Sequence, residues 1–313
     1  MKAISLRIGS NMFDKPDALY TRDYEDGAYH EKVYFEKEAF HKMTEEAKKF
    51  GFDTLLLELA EGIVYDCHPE LAIDGSMPRD EFKEELARLR KMGFSLIPML
   101  DFSPAKNAWM QGLGYVGTKR YDDACEAILR EVIELFDRPE YVHLGYDDES
   151  FATQEDNAVI YKRMPEKRIE DVNKLFDICR EYGVKPWIWM SDKILESYGG
   201  EEMFRQGIAT DVTLTSFAFK RVQEYHIKEN RADPSMMLVK TLDEWGYPQI
   251  PMASTWLYDA VPMQAFSFYT KHCKGEHFKG YLSHPCVFSV ERKYYWLMNE
   301  MYKYTKAYNE YVK

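Results

Sequence analysis

Three consecutive carboxylates, Asp147, Asp148 and Glu149, are the residues of this sequence that most clearly suggest chemistry. They follow an apolar run that begins at Tyr141, so they lie at the end of a candidate β-strand. Adjacent carboxylates repel one another, and this crowding is expected to raise the pKa of at least one of them. A carboxylic acid held protonated near neutral pH, beside an ionised one, is what cleavage of a glycosidic bond requires. An acidic turn that caps the next helix is the alternative interpretation.

Polar and aromatic side chains also come at the ends of other candidate strands. Carboxylates and imidazoles there can hold sugar hydroxyls or tune the pKa of the acidic run, and aromatic rings can pack on a sugar face. The candidate substrate-binding residues are His143, Glu58, Asp101, Trp189, Asp192, Trp256, Tyr258 and His284. Glu58, Asp101 and Asp192, together with a histidine, would also suit a hard cation, as in metal-dependent sugar isomerases.

Short apolar runs alternate with amphipathic helical patterns along the whole chain. The candidate strands are Ala3–Ile8, Thr54–Leu59, Leu96–Asp101, Tyr141–Asp147, Pro186–Asp192, Val212–Phe219, Gln249–Trp256 and Gly280–His284. The helical patterns include Arg79–Met92, Arg120–Phe136 and Asp171–Tyr182. Three helices stop at a glycine that precedes the next strand, as left-handed helix caps do; these are Gly51, Gly93 and Gly183.

Eight strand–helix units in 313 residues favour an α/β fold, a single (β/α)8 TIM barrel that spans residues 1–313. The rival is a doubly wound open sheet, which usually carries a glycine-rich phosphate loop after its first strand. The residues after Ile8 read GSNMF and contain no such loop. In a barrel the carboxyl ends of all strands meet at one mouth, so the candidate residues would converge there.

Composition restricts the partners. Lys and Arg number 41 against 53 Asp and Glu, a formal charge of −12, so no basic surface for nucleic acid or an anionic membrane is expected. The five cysteines have no C-x-x-C spacing, which predicts neither a disulfide framework nor a zinc site. No cofactor motif is present, and neither a signal peptide nor a membrane span is visible, so we expect a cytoplasmic protein without a cofactor.

Four motifs resemble those of glycoside hydrolase family 20, the β-N-acetylhexosaminidases. The run that starts at His143 (HLGYDD) resembles the family's strand-four motif H-x-G-G-D-E. His68–Leu71 (HPEL), followed by Gly75, is similar to its Y-P-x-L segment, and Ile97–Asp101 (IPMLD) to its I-P-E-I-D. Trp187–Asp192 (WIWMSD) comes where the family has a strand-five Trp near an acidic residue. The order and the approximate spacing of the four motifs agree with the family.

This resemblance implies a glycoside hydrolase barrel that binds a hexosamine-like sugar. In the family a Glu is the general acid, and the Asp before it orients the substrate's own acetamido group as nucleophile. Aligned without a gap, Asp147 is the orienting residue and Asp148 the acid. With one inserted residue, Asp148 orients and Glu149 is the acid. The chain departs from the motif at Tyr146, which replaces the second Gly.

The sequence therefore favours a carbohydrate-active enzyme, a glycoside hydrolase that uses the strand-four carboxylates. Two other functions fit the same residues. A metal-dependent sugar isomerase or epimerase would need a bound divalent ion. A non-catalytic sugar-binding barrel would have lost its acid, because Asp148 is one methylene shorter than Glu and a misplacement of about 1 Å can cost about a hundredfold in rate.

Overall fold

The computed structural model describes residues 1–9, 29–104, 108–110, 112–147, 149–150, 154, 160–217, 234–254, 261–271 and 273–312. Within these ranges, seven parallel strands form one sheet in the order β6-β5-β4-β3-β2-β1-β7. They are β1 Lys2–Arg7, β2 Thr54–Glu58, β3 Ser95–Met99, β4 Tyr141–Gly145, β5 Lys185–Met190, β6 Thr213–Ser216 and β7 Tyr281–Ser283. Almost every strand residue is buried, as expected when helices cover the outside of a parallel sheet.

Residues 248–253 close the sheet into a barrel. On one side, the backbone N–H of Ile250 donates to the carbonyl of Leu214 in β6 (3.0 Å). On the other side, the N–H of Ala253 donates to the carbonyl of Leu282 in β7 (2.9 Å). The bridges on both sides are parallel and isolated, so this segment takes the remaining strand position between β6 and β7. The architecture is therefore the (β/α)8 barrel that the sequence predicts.

Helices surround this barrel. The described α-helices are α1 Lys37–Lys49, α2 Arg79–Lys91, α3 Lys119–Leu135, α4 Pro165–Glu181, α5 Asp192–Ser197, α6 Glu201–Gly207, α7 Pro234–Glu244, α8 Val261–Thr270 and α9 Tyr294–Tyr311. Short 3-10 turns lie at Ala60–Gly62, Pro69–Leu71, Ala108–Met110 and Glu291–Lys293. None of the helices in the described ranges is long and apolar enough to cross a membrane.

Seven of the eight predicted strands are present as regular strands, and each ends one to three residues earlier than predicted. The cause is visible after β3 and β4. Asp101 and Tyr146 have φ angles of +52° and +59°, and this left-handed conformation ends the extended backbone. The predicted seventh strand is only bridged, and its last two residues, 255 and 256, lie outside the described residues.

Helices α2 and α3 agree with the prediction to within one residue at each end, whereas α4 begins six residues before its predicted start. Pro165 occupies its first turn, where a missing N–H costs nothing. The three helix-ending glycines have φ between +72° and +81°, as predicted.

The five cysteines are free, and two of them, Cys125 and Cys179, are buried.

Candidate active site

Asp101, Ser103 and Asp147 form a hydrogen-bonded cluster where β3 and β4 end. The hydroxyl of Ser103 donates to Oδ1 of Asp101 (2.9 Å) and accepts from the backbone N–H of Asp147 (2.9 Å). Asp101 and Ser103 are buried, and Asp147 is partly buried. Because the carboxyl ends of adjacent parallel strands lie side by side, the Ser103 hydroxyl can link the Asp101 carboxylate to the backbone of Asp147.

Gly145 allows this close approach of the two strand ends. It has φ +81°, and a Cβ atom at this position would overlap the Cα and the carboxylate of Asp101. The backbone of β4 therefore passes directly against Asp101, and no residue with a side chain fits there without displacing one strand end. This is the position of the first Gly in the strand-four motif.

His143 lies inside the barrel beneath this cluster and is fully buried. The N–H of Gly145 donates to Nδ1 of the imidazole (3.1 Å). An accepting Nδ1 carries no proton, so the neutral ring holds its proton on Nε2 and can act as a donor from that atom. The ring centroid lies 4.3 Å from that of Trp189 and 5.1 Å from that of Trp187.

A layer of rings crosses the barrel from β4 to β1. Trp189 of β5 contacts His143 on one side and His284 on the other, with ring centroids 5.1 Å apart in the second pair. Nδ1 of His284 is 2.6 Å from the hydroxyl of Ser5 in β1. His143, Trp189 and His284, three of the predicted substrate-binding residues, therefore belong to one layer, and all three are 4 % exposed or less.

Glu58 is paired with a residue that the sequence analysis missed. Nε of Arg7, at the end of β1, donates to Oε2 of Glu58 (2.8 Å), and both side chains are 3 % exposed. Nη1 of the same guanidinium donates to the carbonyl of Cys286 (3.2 Å). The single charge in the run AISLRI was the available signal, because a buried guanidinium requires a partner of opposite charge.

Glu149 is held against the start of helix α4 by two buried arginines. The backbone N–H and Nε of Arg163 donate to its two carboxylate oxygens (2.7 and 2.8 Å), and Nη1 of Arg168 lies 2.9 Å from Oε1. Burial raises the pKa of this carboxyl, but the charges of Arg168 and Arg163 and the hydrogen bonds from Arg163 outweigh it and hold the pKa below its ordinary value. Glu149 therefore has the opposite pKa shift from the one expected of a crowded proton donor.

Tyr146 occupies the position of the motif's second Gly and keeps a glycine-like backbone, with φ +59°. Its ring is buried, and the guanidinium carbons of Arg163 and Arg168 lie 5.4 and 5.8 Å from the ring centroid. Burial raises the pKa of the phenol. The side chain is thus packed with the arginines that hold Glu149, and this packing offsets the cost of a left-handed tyrosine.

Asp192 contacts a helix rather than a residue of this cluster in the hydrogen bonds described. Its Oδ1 accepts from the hydroxyl of Ser235 in α7 (2.9 Å), and it lines a cavity of about 730 Å³ among α5, α6, α7 and α8. Asp148, Trp256 and Tyr258 lie outside the described residues. Of the eleven predicted site residues, Asp101, His143, Asp147, Trp189 and His284 are therefore brought together, Glu58 lies on the neighbouring strand end, and Glu149 and Asp192 contact helices.

In the described part of the chain, no three His, Cys, Asp or Glu side chains converge as a set of metal ligands. The three carboxylates predicted to suit a hard cation each contact a different residue there. Glu58 pairs with Arg7, Asp101 accepts from Ser103, and Asp192 accepts from Ser235.

Several solved structures have a fold similar to that of this chain. The β-N-acetylhexosaminidase of Bacteroides fragilis matches 96 % of this chain and 64 % of its own, with a TM-score of 0.61 and 14 % identity. A Streptomyces plicatus β-hexosaminidase mutant, solved with the product GlcNAc, matches 96 % and 62 % at TM-score 0.62 and 11 % identity. Dispersin B matches 99 % of both chains at TM-score 0.56 and 13 % identity.

The chain thus spans under two thirds of the first two enzymes and nearly all of dispersin B. No family model and no curated protein matches it by sequence. These comparisons confirm the predicted resemblance at the level of the fold: the barrel is similar to those of β-N-acetylhexosaminidases of glycoside hydrolase family 20.

Proposed function

We propose that this protein is a glycoside hydrolase that releases a terminal N-acetylhexosamine through substrate-assisted catalysis. The observation that carries the proposal is the Asp101–Ser103–Asp147 cluster above His143, at the strand ends of a family-20 barrel. The GlcNAc bound by the Streptomyces plicatus enzyme supports a hexosamine as the sugar.

In the proposed reaction the substrate supplies its own nucleophile. The acetamido oxygen attacks the anomeric carbon while the bond to the leaving oxygen breaks, and that oxygen takes a proton from the acid. Water then attacks the same carbon, the bond from that carbon to the acetamido oxygen breaks and restores the acetamido group, and the water gives a proton to the acid's conjugate base. Asp147 orients the acetamido group, and its backbone hydrogen bond to Ser103 suits this role because it fixes the residue relative to Asp101.

Asp148 is the proposed proton donor, from the alignment of HLGYDD without a gap. The contacts of Glu149 support this choice over the gapped alignment. A carboxylate paired with two guanidinium groups, with its pKa held low, remains ionised near neutral pH and has no proton to give.

The test is turnover of aryl β-N-acetylglucosaminide, β-N-acetylgalactosaminide and β-glucoside by the wild type, Asp147→Asn and Asp148→Asn. We expect hydrolysis of an acetamido sugar but not of the glucoside, because the glucoside lacks the internal nucleophile. Asp148→Asn should lose about 10²-fold or more in kcat, the usual contribution of a positioned acid. Asp147→Asn should lose about 10²-fold because the acetamido nucleophile is no longer held in position. Asp80→Asn is the matched control, since the Asp80 side chain is 93 % exposed.

EDTA separates the alternative functions. Hydrolysis that survives EDTA supports the two-carboxylate mechanism, whereas activity that requires a divalent ion would contradict it and favour an isomerase or epimerase. Binding of N-acetylglucosamine without turnover of any substrate would also contradict the proposal and leave a sugar-binding barrel.

A further inference from the structure

One guanidinium, that of Arg168, contacts two residues of the acidic run and the tyrosine that precedes it. Nη2 donates to the backbone carbonyls of Tyr146 (2.7 Å) and Asp147 (2.8 Å), and Nη1 pairs with the Glu149 carboxylate (2.9 Å). Arg168 is fully buried in the first turns of α4. The planar fork of an arginine has the geometry to make several such bonds at once, which a lysine ammonium lacks.

These contacts restrain a backbone that is otherwise strained. Tyr146 has φ +59°, a left-handed conformation that is unfavourable for a non-glycine residue. Its carbonyl is fixed by Arg168 on one side of the peptide chain, and the next N–H, that of Asp147, is fixed by Ser103. The peptide between Tyr146 and Asp147 is therefore hydrogen-bonded at its carbonyl and at its N–H. These two bonds fix the position of the Asp147 backbone relative to Asp101.

We propose that Arg168 is a positioning residue for this site: it ties the strand-four loop to helix α4 and so places Asp147, with Glu149 acting as its counter-ion. This inference rests on the proposed function for its catalytic consequence, whereas its geometric content stands on the contacts alone. Arg163 completes the arrangement, because it binds the same carboxylate and pairs with Asp171 within α4 (3.2 Å).

The first experiment compares kcat and KM of the wild type, Arg168→Met and Arg168→Lys on the aryl N-acetylhexosaminide. A displacement of about 1 Å at a reacting group can cost about a hundredfold, so kcat should fall about a hundredfold in Arg168→Met while KM changes less than about threefold. Arg180→Met is the matched control, because Arg180 lies on α4 but pairs with Asp211 away from the site. It should keep the wild-type kcat.

Chemical rescue separates positioning from a merely structural role. In Arg168→Ala, guanidinium ion at tens of millimolar should restore part of kcat, because it can occupy the vacated space and rebind the two carbonyls. Each kcat is divided by the fraction of the protein that is folded. A folded Arg168→Met enzyme with wild-type kcat would overturn the proposal, as would a loss of activity that follows only the loss of folded protein.

Hydrogen exchange tests the geometry without turnover. In Arg168→Met the amide of Asp147 should exchange at least tenfold faster than in the wild type, while amides of α2 and α3 exchange unchanged. Unchanged exchange at Asp147 would overturn the positioning role, whatever the activity. If the wild type hydrolyses no glycoside but the local exchange rises as expected, the proposed function fails and the positioning role of Arg168 stands.

Discussion

Glu149 is the residue whose ionisation the fold most clearly controls. Its pKa is below its ordinary value of 4.5, so its ion pairs stabilise the folded state fully above about pH 4.5 and lose this contribution as pH falls through the lowered pKa. Glu149→Gln leaves the buried Arg168 guanidinium without this counter-charge and Arg163 with Asp171 alone. We expect this variant to lose about 3–5 kcal/mol of unfolding free energy at pH 7.

Urea denaturation of Glu149→Gln and the wild type between pH 3 and 7 measures this loss of unfolding free energy. The difference in free energy should be largest at pH 7 and should narrow as the solution becomes more acidic. The control Glu170→Gln lies on the same helix in an exposed pair with Lys174 and should change stability little. A constant difference at all pH values would show that the pKa of Glu149 is the same in the folded and unfolded states and would contradict its lowering by the two arginines.

The site residues found from the sequence are those whose role depends on strand position. Asp101, His143 and Asp147 end or interrupt apolar runs, and the barrel brings such residues together. Arg163 and Arg168 carry no comparable signal. Their partner, Glu149, is 14 and 19 residues away across a loop, and two arginines before an amphipathic pattern resemble an ordinary exposed helix start.

At the scale of the element, the packing of β4 against β3 depends on Gly145. Gly145→Ala combines a left-handed φ with overlap onto the Asp101 backbone, so we expect a loss of more than about 3 kcal/mol, or a displaced strand end with lower kcat. Gly183→Ala is a matched control. It shares a positive φ of +72° but has no atom within 4 Å of the added Cβ.

Gly183→Ala should therefore cost only about 1–2 kcal/mol, the conformational term alone, and should leave kcat unchanged. Thermal unfolding of both variants separates the two contributions. Equal losses in the two variants would mean that the close contact between Gly145 and Asp101 adds nothing to the cost of the left-handed backbone.

Elements were predictable where hydrophobic periodicity alone determines them. The carboxyl ends of the strands were not, because Asp101 and Tyr146 leave the extended conformation for reasons that involve the neighbouring strand. The segment 248–253 shows the same limit: its apolar run predicts a strand, yet its hydrogen bonds to β6 and β7 are isolated bridges. Local pattern fixes the number and order of the elements, and contacts between elements fix where each one ends.

At the scale of the whole molecule, the two ends of the barrel have different roles. The carboxyl ends of the strands carry the candidate active site, whereas the amino ends carry contacts that hold the barrel together. Lys2, the first residue of β1, is 7 % exposed. Its Nζ donates to the carbonyl of Phe50 (2.7 Å) and to the hydroxyl of Thr305 in α9 (2.8 Å), and it lies 4.6 Å from the centroid of the Phe52 ring.

Lys2→Met should therefore lower stability without changing catalysis. Methionine fills a similar volume but leaves the Phe50 carbonyl without its charged donor, so we expect a loss of about 2–3 kcal/mol in unfolding free energy. Lys185→Met, the same change at the first residue of β5, removes a half-exposed pair with Glu140 and a contact with the Tyr141 ring, and should cost less than about 1 kcal/mol. Denaturation and kcat per folded molecule test both variants. If a fully folded Lys2→Met protein lost activity, the two ends of the barrel would be coupled, and stability and catalysis could not be assigned to separate faces.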